Sequence, residues 1–182
     1  MPVRDDRRAA ALERMANHLL REGLAGASLR PLARAAGTSD RMLLYYFRDK
    51  DRLLAALLRH VAARLAGLLR ETRVGGTPRP FGALMAEMRD AARDDALRPY
   101  VRLWIELAAA AVRGEEPHRA AAGRFADEFL AWVADRLQVE READRAPTAA
   151  LLLATVDGLA LLDAAGRSAL ADHAVVSLSR PS

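Results

Sequence analysis

The sequence predicts an all-α protein, and three features of it lead to that prediction. Ala, Leu and Arg, which all favour helices, supply 96 of the 182 positions. The residues that favour strands, namely Val, Ile, Thr, Phe, Tyr and Trp, supply only 25. Apolar residues also recur at intervals of three and four positions, which is the period of an amphipathic helix.

The first third of the chain is predicted to form three short helices and the start of a fourth. Apolar spacing indicates a first helix at about 5–21, which Gly23 ends. Ser28 is placed to cap a second helix, and Gly37 to close it in a left-handed conformation. Ser39 then caps a third helix, which begins two residues later and ends near residue 47.

The fourth helix is expected to begin behind Asp49 as its cap. The second and third helices, joined by a turn that Gly37 leads, form a helix-turn-helix motif at about 28–47. This motif lies in the only strongly basic part of the sequence, since residues 1–60 carry 12 basic and 7 acidic side chains, against 16 and 17 in residues 61–182. Such an asymmetry favours a polyanionic partner.

The third helix can be drawn as a wheel with about 100° per residue. Leu43 and Phe47 then face inward, while Arg41 and Tyr45 face outward with Met42 beside them. A guanidinium suits the acceptors of guanine, and a thioether or an aromatic ring packs on thymine methyl groups. Taken singly, these side chains have plainer interpretations, a solvated arginine or a core aromatic. Together they favour a helix that reads the major groove.

The sequence resembles the DNA-binding domain of TetR-family regulators in the run LARAAGTS (32–39), in Leu43, in the triplet YYF (45–47) and in Lys50. The resemblance covers about residues 8–60. It implies a homodimeric transcriptional regulator whose C-terminal helices bind a small molecule and dimerise. It also implies that the lysine holds a DNA phosphate.

The chain departs from the family pattern at the recognition helix. Leu44 stands where the family usually has a tyrosine, and Asp40 replaces a common small or basic residue. By the same pattern Ser28 and Arg30 meet the DNA backbone at the start of the second helix. The complete set of predicted DNA contacts is Ser28, Arg30, Ser39, Asp40, Arg41, Met42, Tyr45, Tyr46 and Lys50.

A loop at 74–80 separates this region from five further predicted helices, at about 81–95, 97–113, 117–138, 147–165 and 168–178. We expect residues 1–49 to form the helix-turn-helix domain and 50–182 a helical effector-binding and dimerisation domain. The stretch 146–166 is long enough to cross a membrane, but Asp157 and Asp163 interrupt it. It is therefore expected to be a buried helix of a cytoplasmic protein.

Aromatic and methionine side chains are concentrated in the C-terminal region. They are expected either to line a pocket for an apolar or aromatic effector or simply to fill the core, and these two interpretations stay open. Asp157 is added because it stands among apolar residues. The predicted effector-binding set is Met85, Met88, Tyr100, Trp104, Phe125, Phe129 and Asp157.

The helix at 147–165 has two apolar stripes, one for the core of its own chain and one for a second copy. The helices at about 147–165 and 168–178 are predicted to form the dimer interface, through Leu152, Val156 and Leu159 of the first helix. The other stripe of that helix holds Leu151, Thr155, Gly158 and Leu162. A helix at the centre of a single domain is the alternative.

We therefore predict a sequence-specific transcriptional regulator, a repressor that a small molecule releases from double-stranded operator DNA. The chain has no cysteine, no metal-binding spacing of its four histidines and no nucleotide-binding motif. No catalytic residues, cofactor or metal are expected, and the protein is not expected to be an enzyme. The alternatives are a small helical enzyme or carrier that uses the aromatic pocket, and a constitutive DNA-binding protein without an effector.

Overall fold

The computed structural model describes residues 2–71 and 77–178, and within these ranges the chain is helical without a strand. Two 3₁₀ turns, at Leu24–Gly26 and Glu142–Asp144, and an isolated β-bridge between Arg79 and Leu137 complete it. The all-α prediction is confirmed. The helices are α1 Pro2–Glu22, α2 Leu29–Ala36, α3 Asp40–Phe47, α4 Lys50–Glu71, α5 Phe81–Arg93, α6 Arg98–Val112, α7 His118–Arg136, α8 Arg145–Ala164 and α9 Ser168–Leu178.

The observed bounds differ from the predicted ones by three residues or fewer. Helix α3 begins at Asp40, directly after its cap, rather than one residue later. Helix α8 begins at Arg145, so that Pro147 lies in its first turn, where a missing N–H group costs nothing. Part of the predicted loop, residues 72–76, lies outside the described residues.

The chain divides into two compact units. The first comprises residues 1–65 and 102–125, and the second comprises residues 66–101 and 126–182. The predicted division into 1–49 and 50–182 concerns function, DNA binding against effector binding, and it stays a prediction.

The core of the first unit holds the helix-turn-helix in place. Met15 and Leu19 of α1, Leu43 of α3, and Leu53 and Leu57 of α4 are all fully buried. Burial of one such side chain stabilises the fold by about 1.5–3 kcal/mol. The short helices α2 and α3 therefore depend on α1 and α4 for their position.

The core of the second unit lies between α5 and α8. Leu84 and Met85 of α5 are fully buried, and α8 packs against this helix. Leu152, Val156 and Leu159 of α8 are 0%, 7% and 3% exposed. Because these three side chains are already packed inside the single chain, they are not available to a second copy, and their assignment to a dimer interface is wrong.

The opposite stripe of α8 is the exposed one. Leu151 and Leu161 are 59% and 54% exposed, so the expectation of a buried helix holds only for one face. On helix α9, Leu170, Val176 and Leu178 are also exposed. By length and composition alone, Glu142–Ala164 would also suit a membrane span, and 22% of its most apolar window is buried within the single chain.

Candidate nucleic-acid interface

The turn between α2 and α3 is built around Gly37. This residue has a φ of 70°, a left-handed conformation that a side chain rarely tolerates, as the sequence predicted. The N–H of Thr38 donates to the carbonyl of Ala33 at 3.0 Å. Arg14 of α1 donates to the carbonyl of Ala36 at 3.0 Å from Nε and 2.7 Å from Nη2. The end of α2 is thus attached to α1, which sets the direction in which α3 leaves.

Side chains cap the helices that follow the turn. The hydroxyl of Ser39 accepts a hydrogen bond from the N–H of Met42 at 3.3 Å, and Asp49 accepts one from the N–H of Arg52 at 2.7 Å. Both predicted caps are confirmed. Ser28 precedes α2 as predicted, but its side chain makes no capping hydrogen bond.

Helix α3 has the two faces that the helical wheel predicts. Leu43 and Phe47 are 0% and 4% exposed, whereas Met42 and Tyr45 are 39% and 61% exposed, and Arg41 is exposed as well. Large apolar groups in water are unfavourable unless a partner covers them. We call the outward set of Arg41, Met42 and Tyr45 the reading face.

The other predicted DNA contacts lie around this face. Ser28, Arg30 and Lys50 are exposed at the starts of α2 and α4. Asp40 is half-buried in the first turn of α3, where the helix dipole stabilises a carboxylate. Tyr46 is half-buried, and its ring lies 5.8 Å from that of Tyr45 in an edge-to-face arrangement. That all of them touch DNA stays a prediction.

The sequence reasoning missed a basic pocket beside the end of α3. A cavity of about 280 Å³ is lined by Arg8, Arg48, Arg52 and Arg59, together with Tyr46, Phe47 and two alanines. A signal was present, because Arg52 and Arg59 are seven positions apart and so share one face of α4. No regular spacing in the sequence indicates that Arg8 of α1 and Arg48 of the turn before α4 join these two arginines. We call these four arginines the arginine pocket.

The predicted effector-binding residues are divided between the two units. Trp104 and Phe125 belong to the first unit, and the other five, Met85, Met88, Tyr100, Phe129 and Asp157, belong to the second. Met85, Met88, Tyr100 and Phe125 are buried, which fits the interpretation of these four as core.

Aromatic stacking occurs on α7. The ring of Phe129 stacks on that of Trp132, with their centroids 5.8 Å apart, and the guanidinium of Arg136 lies 4.4 Å above the Trp132 ring. The indole N–H donates to the carbonyl of Leu69 at 3.3 Å. One side of this aromatic pair is therefore already occupied by a cation of the same chain.

A second group of charges links α5 to α8 and α9. Arg89 is 5% exposed and donates to Asp163 at 3.2 Å and to Asp172, and Arg93 donates to the same two carboxylates. Burial raises the pKa of Asp163, but hydrogen bonds from Arg93 and Ser168 and the charge of Arg89 outweigh it, so the pKa is lowered overall. The hydrogen bond from Arg89 likewise lowers the pKa of Asp172. We call these four residues the ion cluster.

No group of three or more His, Asp or Glu side chains in the described ranges is arranged to hold a metal ion.

Comparison with known proteins places this geometry in a family. Residues 14–57, from the middle of α1 to the second turn of α4, match the model of the bacterial regulatory proteins of the tetR family. The structure of a transcriptional regulator from Rhodococcus sp. Rha1 is 31% identical, and the match covers 92% of this chain and 90% of that one with a TM-score of 0.68. The chain belongs to the tetR family.

Other tetR-type proteins resemble the chain over different lengths. A Rhodococcus sp. protein assigned to the family has a TM-score of 0.72 with 96% of each chain covered, but at 24% identity this likeness concerns the fold alone. The HTH-type transcriptional regulator BetI of Paraburkholderia phytofirmans is 33% identical over 106 residues, 57% of this chain and 53% of the relative. BetI of Pseudomonas aeruginosa is 41% identical over 51 residues, 28% and 26% of the two chains. The chain thus spans about half or less of the curated relatives that it matches.

Proposed function

We propose that this tetR-family protein is a homodimeric repressor, which binds operator DNA through α3 and leaves it when a small effector binds. The observation that carries the proposal is the reading face, where Arg41, Met42 and Tyr45 point outward from a helix that Leu43 and Phe47 fix from below. An α-helix fits the major groove, and a forked guanidinium recognises guanine there. A repressor of this kind acts in the cytoplasm, where bacterial DNA lies.

Contacts to the DNA backbone complete the interface. Ser28 and Arg30 stand at the start of α2, and Lys50 stands at the start of α4, all of them exposed. Helix N-termini favour phosphate through their free N–H groups and their dipole. Contacts of this type fix the position of the protein on the duplex but carry no sequence information. Base preference therefore rests on the reading face.

A second copy of the chain is the partner that suits the exposed stripe of α8 and α9. Leu151, Leu161 and Leu170 are each more than half exposed on two helices that pack together, and apolar side chains exposed in this way favour an interaction site. Pairing around a two-fold axis covers the same residues on both copies. It also presents two reading faces, which suits two half-sites about 34 Å apart along the duplex.

The dimer proposal is tested by charge insertion in the exposed stripe. Leu161→Arg and Leu170→Arg are expected to give folded monomers in analytical ultracentrifugation, with weaker operator binding. Ala131→Arg adds the same charge on an exposed position of α7 and is the control, which should leave the dimer intact. Dimers of native helicity for both leucine variants would place the interface elsewhere.

The effector is proposed to be apolar or aromatic and to bind in the region 50–182. The half-buried Phe129, whose ring stacks on that of Trp132 in this region, supports the proposal. The dimer is proposed to have two states that differ in the spacing of the two reading faces, one of which fits the operator. An effector that binds the other state more tightly shifts the population away from DNA, and the size of the shift is set by the difference between its affinities for the two states. Thermal unfolding of the full chain with a panel of apolar compounds should show stabilisation that grows with ligand concentration.

One experiment separates the proposal from its alternatives. A gel-shift assay uses DNA from upstream of the gene, with and without added cell extract. A repressor binds this DNA and is released by a component of the extract, whereas a constitutive DNA-binding protein stays bound. A helical enzyme or carrier gives no shift at all, and that result would contradict the proposed function.

A further inference from the structure

The arginine pocket brings together cations from three parts of the first unit. Arg8 comes from α1, Arg48 from the turn after α3, and Arg52 and Arg59 from the first three turns of α4. Tyr46, Phe47, Ala55 and Ala56 complete the lining, and the two alanines occupy little of the space. A cavity of about 280 Å³ is much larger than the ~30 Å³ share of one water molecule, so it has room for a hydrated phosphate group.

The surrounding structure positions the guanidinium groups. That of Arg8 lies 4.8 Å from the centroid of the Phe47 ring, which is itself buried in the core. Arg48 has a φ of 71° at the end of α3, and its N–H donates to the carbonyl of Leu44 at 2.7 Å. The backbone there turns sharply between α3 and α4. The pocket thus follows directly on the helix that carries the reading face.

Among the described side chains, a single carboxylate partners the four arginines of the pocket. Arg52 pairs with Asp49, its Nε 3.3 Å from Oδ2. Among the described side chains, no carboxylate lies within salt-bridge distance of Arg8, Arg48 or Arg59. Like charges gathered around a cleft repel each other, and an anion in the cleft relieves the repulsion. Guanidinium groups also match the geometry of phosphate oxygens.

We propose that the arginine pocket binds a phosphate of the DNA backbone at the edge of the groove that α3 enters. This inference rests on the proposed function. The major groove is about 12 Å wide, so a helix within it has a phosphate backbone on either side. The pocket begins at Tyr46, whose ring contacts that of Tyr45 on the reading face, and therefore lies where the helix leaves the groove. Because the pocket is open and three of its arginines are exposed, a polyanion can reach it.

A phosphate in this pocket adds affinity without sequence preference. Its loss should weaken operator and random DNA equally, in contrast to the loss of Arg41. Each neutralised phosphate contributes about 0.9 to the slope of log affinity against log salt concentration. At about 0.1 M salt, one lost contact corresponds to about fivefold to tenfold weaker binding.

The test measures fluorescence anisotropy of the full chain with labelled duplexes of about 30 base pairs, enough for two half-sites, at several salt concentrations. One duplex carries an operator selected from a random pool, and the other has a random sequence. The double variant Arg8→Gln/Arg59→Ala should lower the salt slope by about 0.9 for each phosphate lost, equally on both duplexes. Arg59→Lys should retain most of the slope. Arg119→Ala, which removes an exposed charge of α7 in the same unit, should change nothing.

The outcomes distinguish this inference from the proposed function. Circular dichroism first establishes that the variants keep native helicity. If the wild-type protein binds DNA and the double variant keeps its slope, the arginine pocket does not touch DNA, while the proposed function stands. If inorganic phosphate binds the wild-type protein and the double variant's slope is unchanged, the pocket holds a free anion and the inference is wrong. If the wild-type protein binds neither duplex, the proposed function fails and this inference fails with it.

Discussion

Two clusters of arginines in this protein differ in how their charge is compensated. In the ion cluster, Arg89 and Arg93 meet two carboxylates, and the Arg89 side chain is almost fully buried. In the arginine pocket, four guanidinium groups have Asp49 as the carboxylate partner among the described side chains. Arginine alone therefore does not indicate a role. The balance of charge and the degree of burial separate a group that holds helices together from one that is open to a ligand.

The difference has a physical reason. A buried cation is stabilised where carboxylates and carbonyls accept its N–H groups, and Arg89 also donates to the carbonyl of Ser168 at 3.3 Å. Both of its terminal nitrogens donate in this cluster, whereas its buried Nε has no hydrogen-bond partner among the described residues. Such a cluster fixes the positions of α5, α8 and α9 relative to each other. An exposed cation needs no partner in its own chain, since water solvates it until a phosphate arrives. The predictions below test this contrast.

The largest effect is expected from breaking the ion cluster. Asp163→Ala removes a carboxylate from both arginines and leaves the buried Arg89 with Asp172 as its one carboxylate partner, which should lower the free energy of unfolding by about 3 kcal/mol. Urea unfolding followed by circular dichroism measures the change. Asp90→Ala, at an exposed position of α5, is the matched control and should be nearly neutral. Equal effects of the two variants would contradict the structural role of the cluster.

An intermediate effect, on operator binding, is expected from variants of the reading face. This face is exposed, as the arginine pocket is, but it is proposed to recognise particular bases. Arg41→Ala should weaken operator binding by about 1–3 kcal/mol and relax preference at one base pair. Lys50→Ala should weaken binding to every sequence by a similar factor and lower the salt slope. Anisotropy with operator and random duplexes measures both. Equal losses on the two duplexes for Arg41→Ala would rule out its base-reading role.

A smaller effect is expected from acid. The folded-state pKa values of Asp163 and Asp172 lie below those of the unfolded chain, so their stabilisation is complete above the unfolded value of about 3.9 and is lost as the pH falls through the lower folded values. Urea midpoints should therefore decline on acidification below about pH 4. The variant Asp163→Asn/Asp172→Asn should decline less steeply. A parallel decline in both proteins would assign the acid sensitivity to other carboxylates.

The smallest effect on stability is expected from the arginine pocket itself. Arg59→Ala removes an exposed charge with like-charged neighbours, so the free energy of unfolding should change by less than about 0.5 kcal/mol. Its effect belongs to DNA binding instead. A thermal unfolding experiment at low salt measures the stability. A loss as large as that of Asp163→Ala would show that the pocket, too, is a structural cluster.

The sequence by itself determined the helices of the first unit and the two faces of α3. Caps at Ser39 and Asp49 and the left-handed Gly37 act through neighbouring backbone groups, so their effect is visible in the local sequence. The inward position of Leu43 and Phe47 follows from helical periodicity alone. These features depend on interactions within a few residues.

Tertiary structure decided which of the two apolar stripes of α8 is buried. Both stripes have the helical period and are largely apolar, and the packing of α8 in its unit buries Leu152 and Val156 and leaves Leu151 exposed. It also decided that Arg8 meets Arg59, which is 51 positions away in the sequence. Local patterns contain no record of such distant neighbours. Such neighbours are brought together only when the chain packs, because burial and the proximity of charges depend on residues that are distant in the sequence.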